Sequence, residues 1–268
     1  MANNPASVRR KLTREDEAFD VPAAVLCAFC GQPDCAGCEA ATDEGSGVMS
    51  IVPWERGAGG VWSRLWATAN ATTQGAETFF AVLPDGALPP AMRFAVLAET
   101  LAVVSMLAAF MPLAALALPE LTLELARDPG LRASALRWLT LGVPALIAWM
   151  VVAHAAHGAA LDLGARRQGA KPQRRRALRF GLYACGWDLM VGPLGALVTL
   201  ISSGRKGMTE LLSLSMRAPG RASAALLQGV YALPPQTAAR ARRTGGLAAV
   251  ALTIASGFAV VALILTLR

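Results

Sequence analysis

Four of the chain's five cysteines form two C-x-x-C pairs, Cys27 with Cys30 and Cys35 with Cys38, separated by Gly31, Gln32, Pro33 and Asp34. Each pair can turn two thiolates toward one point, and four thiolates make the tetrahedral sulfur set that zinc takes in closed structural sites. The gap between the pairs is shorter than the roughly 15–20 residues of an ordinary zinc ribbon. Spacing therefore leaves two alternatives beside zinc: a dithiol redox pair, and four thiols that hold no metal. An iron–sulfur cluster needs a different run of cysteines. The expectation is a four-cysteine, zinc-knuckle-like segment with a structural zinc on Cys27, Cys30, Cys35 and Cys38, which would imply a reducing, cytoplasmic setting. Cys185 lies in an apolar run and reads as a small buried side chain.

A second set is ionisable: Glu99, His154, His157 and Asp188 all interrupt apolar runs, where charge is costly and pairs or faces a bundle interior. His154 and His157 are three apart, on one helix face, and Asp162 follows. A metal or proton-relay site is one reading. The plainer reading makes the histidines solvated imidazoles at a helix end, lets Glu99 hydrate near the interface beside Arg93, and leaves Asp188 close to an outer turn. No nucleophile–base pairing or H-E-x-x-H pattern accompanies them, so no enzyme is expected. A third set, Arg166, Arg167, Lys171, Arg174, Arg175 and Arg176, could draw anionic lipid headgroups at about 1 kcal/mol per residue, or could only set topology. Without aromatic interleaving or a reader fold, it does not suggest nucleic acid.

The elements that must carry these residues are apolar helices. A bilayer's ~30 Å hydrocarbon core takes about 20 apolar residues of helix. Only 16% of the 268 residues are charged, against roughly 25% for a globular protein, and the mean hydropathy is +0.45. Apolar runs at 94–118, 138–161, 178–191, 194–216 and 247–267 predict an all-α integral membrane bundle of about five passes, with four as the alternative. Residues 1–48 form a polar leader with no secretory signal, 49–90 an aromatic stretch, and 91–268 the transmembrane domain. In the middle segment Trp62, Leu65, Trp66, Ala69, Ala76, Phe79, Phe80 and Leu83 recur at helical spacing. This suits an amphipathic helix in the membrane interface, or one packed on the bundle.

Charge sets the orientation. The loop Pro119 to Arg137 balances Glu120, Glu124 and Asp128 against Arg127, Arg132 and Arg137. The cluster from Arg166 to Arg176, and Arg217, Arg221, Arg240, Arg242 and Arg243, are almost unopposed and belong in the cytoplasm. A single helix between those basic segments would put them on opposite sides. A short hairpin turning at Val191 to Gly195, where Gly and Pro break the run, removes the conflict. The leader is then cytoplasmic, and the Arg- and Ala-rich composition points to a bacterial inner membrane.

Pro53-Trp54-Glu55-Arg56, the step Phe79-Phe80-Ala81-Val82-Leu83-Pro84, a His near the end of the second helix (His154 or His157), and Tyr183 followed by Gly192-Pro193 resemble bacterial members of the Yip (Ypt-interacting protein) domain family. The resemblance covers roughly Ser50 to Arg268 and departs from the family where a proline soon after Tyr183 is missing. It implies a non-enzymatic membrane protein. The expected function is a membrane-anchored interaction or scaffold protein, whose cytoplasmic zinc-binding module docks an unknown protein partner, since the chain has no internal repeat of the kind common in transporters. The alternative is a small transporter or channel using Glu99, His154 and Asp188. The second needs those three residues to converge inside the bundle, whereas the first expects them to scatter to its faces.

Overall fold

Proline marks where most of the helices start, because its missing N–H costs nothing in a first turn and its fixed φ suits the helix. A computed structural model describes residues 51–56, 59–215 and 217–266, all helix and connections. The leader with its cysteine knuckle lies outside these residues. After a 3-10 turn at Pro53–Glu55 come α1 (Val61–Thr73), α2 (Ala76–Ala81), α3 (Leu88–Ala117), α4 (Pro119–Arg127), α5 (Pro129–Arg137), α6 (Val143–Arg167), α7 (Arg174–Ala184), α8 (Gly186–Val191), α9 (Pro193–Ser215), α10 (Ala218–Gly229) and α11 (Pro235–Thr266). No strand occurs among the described residues.

The expected loop between the first two crossings is helical. Leu118 ends α3, Pro119 opens α4, and Asp128 caps α5 by accepting from the Gly130 amide at 2.8 Å. A π-turn at Trp138–Gly142 then joins α5 to α6, making one 39-residue helical run from Pro129 to Arg167. That run and α3 are each long and apolar enough to cross a membrane. Arg174–Val191 with Pro193–Ser213 forms a third candidate, bent by 64° at the break.

The bend corrects the hairpin turn expected at Val191 to Gly195. Gly192 is extended (φ −66°, ψ 170°) and Pro193 restarts a helix at once, so the chain turns by 64° there and does not fold back. A second break follows at Gly204, whose φ of 63° and ψ of −163° are easy only for glycine. Beyond it, Leu211 is buried in the core it shares with Tyr183 and Trp187. The chain is thus broken at two points here, with the exposed stretch Leu200 to Lys206 between them and just beyond.

Burial splits the long helices in two. Residues up to Val103 of α3, from Val151 of α6, in α7 and α8, and near Ala238 and Ala241 of α11 form one packed core. Beyond it apolar side chains are exposed: Phe110 and Leu116 on α3, Leu141 in the π-turn and Leu146 on α6, Ile201 on α9, Ile254 and Phe258 on α11. The ends of α6 and α11 lie together, since Trp149 Nε1 donates to Ser256 Oγ at 2.8 Å across them. An apolar surface of this extent needs a cover, and hydrocarbon supplies one.

The aromatic stretch before the first crossing packs on the bundle. Leu65, Phe79, Phe80 and Leu83 are buried, and the Phe80 ring lies 4.6 Å from that of Phe180. Trp62 faces outward. Seated this way, α2 is a wall of the core, and only Trp62 fits the interfacial expectation.

Candidate functional site

Backbone contact between α6 and α7 fixes the site. A Cβ on Gly158 would fall 2.0 Å from the Ala177 carbonyl oxygen, and one on Gly181 would fall 2.1 Å from that of His154. Neither helix could approach so closely with any other residue there, the small-residue packing common between membrane helices. Gly181 thereby sets the register that brings His154 opposite the next turns, which carry Cys185 and Asp188. On the other side of α6, Gly164 lies against the Ala241 carbonyl and Gly245 of α11 against that of Ala160.

At this level three of the predicted ionisable residues meet. His154 Nε2 lies 2.9 Å from Asp188 Oδ2 and 3.5 Å from Glu99 Oε1. Glu99 has no exposed surface, and neither carboxylate oxygen has a hydrogen-bond partner. Cys185 Sγ completes the group: donor atoms of Glu99, His154 and Cys185 all lie within 4.8 Å of one another. The Trp187 ring stands edge-on to His154, 6.0 Å away. His154 is 16% exposed and Asp188 34%. The cluster sits where the packed core gives way to the exposed apolar ends: Val104, five residues past Glu99 or about 7.5 Å along the helix, is already half exposed.

This corrects the plainer sequence expectations. Glu99 is fully buried, and Asp188, though one turn before the Gly192 break and a third exposed, pairs with His154. His157 leaves the set. Its Nε2 is 3.4 Å from Ser223 Oγ on α10, and its ring stacks on Phe180. Asp162 anchors a separate corner, accepting from the Tyr231 hydroxyl and the Gln173 amide, both at 2.8 Å, with Arg166 at 3.8 Å. Burial and then the bond to Asp162 raise Tyr231 well above the ordinary tyrosine range. The basic cluster is mostly open: Arg166, Arg167, Lys171, Arg174 and Arg175 are exposed, while Arg176 is half-buried.

No family model, curated protein or solved structure matches this chain.

The structure also shows a polar centre that sequence reasoning passed over. Arg179 is fully buried, its Nη2 donating to Glu55 Oε1 at 2.6 Å and its Nη1 to the Pro84 carbonyl at 2.8 Å. The Tyr183 hydroxyl donates to the same Glu55 oxygen, and the guanidinium lies 5.8 Å from the Tyr183 ring centre. Gly86 makes room, because a Cβ there would fall 2.0 Å from Arg179 Nη1. The signal was available: Arg179 is an arginine inside a predicted span, and such residues need a partner. The Pro53–Glu55 turn is that partner, held further by Trp54 Nε1 donating to the Pro90 carbonyl at 2.8 Å.

Proposed function

We propose that this chain is a multi-pass membrane protein that moves protons or small cations through the site formed by Glu99, His154 and Asp188. The observation that carries the reading is the buried, unpartnered carboxylate of Glu99 facing the His154–Asp188 pair. Two carboxylates around one imidazole leave negative charge in a medium that does not tolerate it, so the site needs a proton or a cation from outside. Convergence of the three was the requirement of the transporter or channel reading. In this reading the reversal through Gly192 and Gly204 returns the chain to the packed side, giving about five passes. The basic segments and the leader face the cytoplasm of a bacterial inner membrane. The test is flux in vesicles: the purified protein should dissipate an imposed pH or zinc gradient faster than protein-free vesicles, and Glu99→Gln should remove most of the excess. Equal rates for all three preparations would refute it.

A second reading keeps the protein as a membrane-anchored interaction protein of Yip type. The observation in its favour is that residues carrying the resemblance, far apart in sequence, touch: Phe79 meets Tyr183 at 5.9 Å, and Glu55 accepts from the Tyr183 hydroxyl. The four-cysteine knuckle would then be its cytoplasmic docking module, the basic cluster its contact with anionic headgroups, and Glu99 dispensable. Zinc content of the whole protein that falls by one ion per chain in Cys27→Ser/Cys30→Ser would support the module, and an unchanged content would remove it.

A further inference from the structure

Cys185 changes what the site can hold. Carboxylates and an imidazole suit a proton relay or several cations, but a thiol among them selects for ions that favour sulfur. The thiol donates weakly to the Gly181 carbonyl at 4.0 Å and otherwise faces Glu99 inside the core. Resting on the reading of the Glu99 cluster as the functional site, we infer that it binds a zinc-type divalent transition-metal ion through Glu99, His154 and Cys185, with Asp188 as the fourth donor.

Donor number and spacing agree with this. In a tetrahedral zinc site the metal–ligand distances are about 2.0–2.3 Å, which puts neighbouring donors roughly 3.3–3.8 Å apart. Here His154 Nε2 and Glu99 Oε1 are already at 3.5 Å, and the widest separation among the three donors is within 4.8 Å. Closing around an ion asks for about 1 Å of side-chain movement, while Gly158 and Gly181 hold the helices in place. Asp188 Oδ2 contacts the same imidazole nitrogen and can follow it onto the metal. The Glu99 oxygens point the same way: beyond the 3.5 Å approach of His154 they make no hydrogen bond, a buried carboxylate so weakly paired is costly in an apolar core, and a divalent ion supplies what it lacks. Calcium and magnesium are disfavoured, since both prefer oxygen-only shells.

The proton balance is simple. The ion forms bonds to Cys185 Sγ and His154 Nε2: the Cys185 S–H bond breaks and its proton passes to water, while the proton that His154 Nε2 shares with Asp188 leaves that nitrogen and the imidazole carries its one proton on Nδ1 instead. No electron changes hands. Affinity should therefore rise with pH.

The test isolates Cys185 as the only thiol. In the full chain carrying Cys27→Ser, Cys30→Ser, Cys35→Ser and Cys38→Ser, cobalt(II) is added to the reduced, detergent-solubilised protein. The expected result is about one cobalt per chain with a sulfur-to-cobalt charge-transfer band, displaced by zinc and untouched by excess magnesium. Cys185→Ser should abolish the band, and Glu99→Gln should weaken cobalt binding at least about tenfold. Circular dichroism of each variant separates ligand loss from misfolding, and the four-serine parent needs no change at the site itself. Cobalt that fails to bind, or binds without the sulfur band, overturns the inference. If the vesicles still show Glu99-dependent proton flux in that case, the transport reading survives and only the metal is lost.

Discussion

Replacing Glu55 by Gln should be among the most damaging single changes outside the bundle's apolar helices. The substitution keeps shape and a hydrogen-bond acceptor but removes the charge opposite Arg179, which has no exposed surface. Breaking a buried ion pair from one side costs about 3–5 kcal/mol, because the remaining charge stays buried without a counter-charge. Glu55 is 18% exposed, so water relieves part of this and the lower end, about 3 kcal/mol, applies. For chains of this size each kcal/mol moves the melting temperature by about 2–4 °C, giving a drop of about 6–12 °C. Tryptophan fluorescence during heating in detergent is a suitable readout, since Trp54 sits beside Glu55 and packs edge-on against Phe94 at 5.8 Å. The control is Glu55→Gln with Arg179→Met. Removing both charges should be less harmful than the sum of the single changes, as one variant no longer strands the other's partner. A shift below about 1 °C for Glu55→Gln, or strictly additive single effects, would show that the pair is not what ties the Pro53–Glu55 turn to the bundle.

Other consequences can be checked alongside. Gly158→Ala places a methyl group 2.0 Å from the Ala177 carbonyl, and the forced separation should cost about 1–3 kcal/mol of stability and lower Glu99-dependent flux by moving His154 away from Asp188. Tyr231 holds its proton more tightly when folded than when unfolded. Its contribution is therefore complete below the ordinary tyrosine value near 10 and declines as pH rises above it. The melting temperature should fall above that pH, less steeply in Tyr231→Phe. Single cysteines at Gln168 and Ser202, in a chain otherwise without cysteine, should react with an impermeant reagent from opposite sides of the membrane, and labelling from the same side would rule out the proposed path through Gly192 and Gly204.

The helices could be read from the sequence because their signals are local. Uncharged runs, opening prolines and the Gly192-Pro193 break all act within a few residues, so α3, α6 and the bend at α8 fall close to where the apolar pattern puts them. The site was half legible. Residue type alone drew attention to Glu99, His154 and Asp188, since carboxylates in apolar runs are costly wherever they stand. Their convergence was not, because it depends on how far α6 and α7 slide past each other. That register is set by Gly158 and Gly181, two glycines that do not stand out in a chain holding 25 of them. Cys185 read as a filler for the same reason. The turn at Val191 to Gly195 was placed correctly as a break but given too much bend, and the second break, at Gly204, looks from the sequence like one small residue in a polar stretch. The partner of Arg179 lies more than a hundred residues away in the chain, beyond the reach of any periodicity argument.

The glycines of α6 have a mechanical consequence. With Gly158 seated on the Ala177 carbonyl, and Gly164 seated on that of Ala241 while Gly245 meets Ala160, the helix is keyed to both neighbours like a shaft in two slots. Sliding α7 or α11 along it would take these glycines out of register with the carbonyls they now meet, so the close contacts oppose shear between the three helices. The departures from helical geometry at Gly192 and Gly204 lie instead in and before α9, so any hinge motion of the bundle belongs to the segment between those two glycines. Through Asp188, one turn before Gly192, the Glu99 cluster lies next to the first of these breaks.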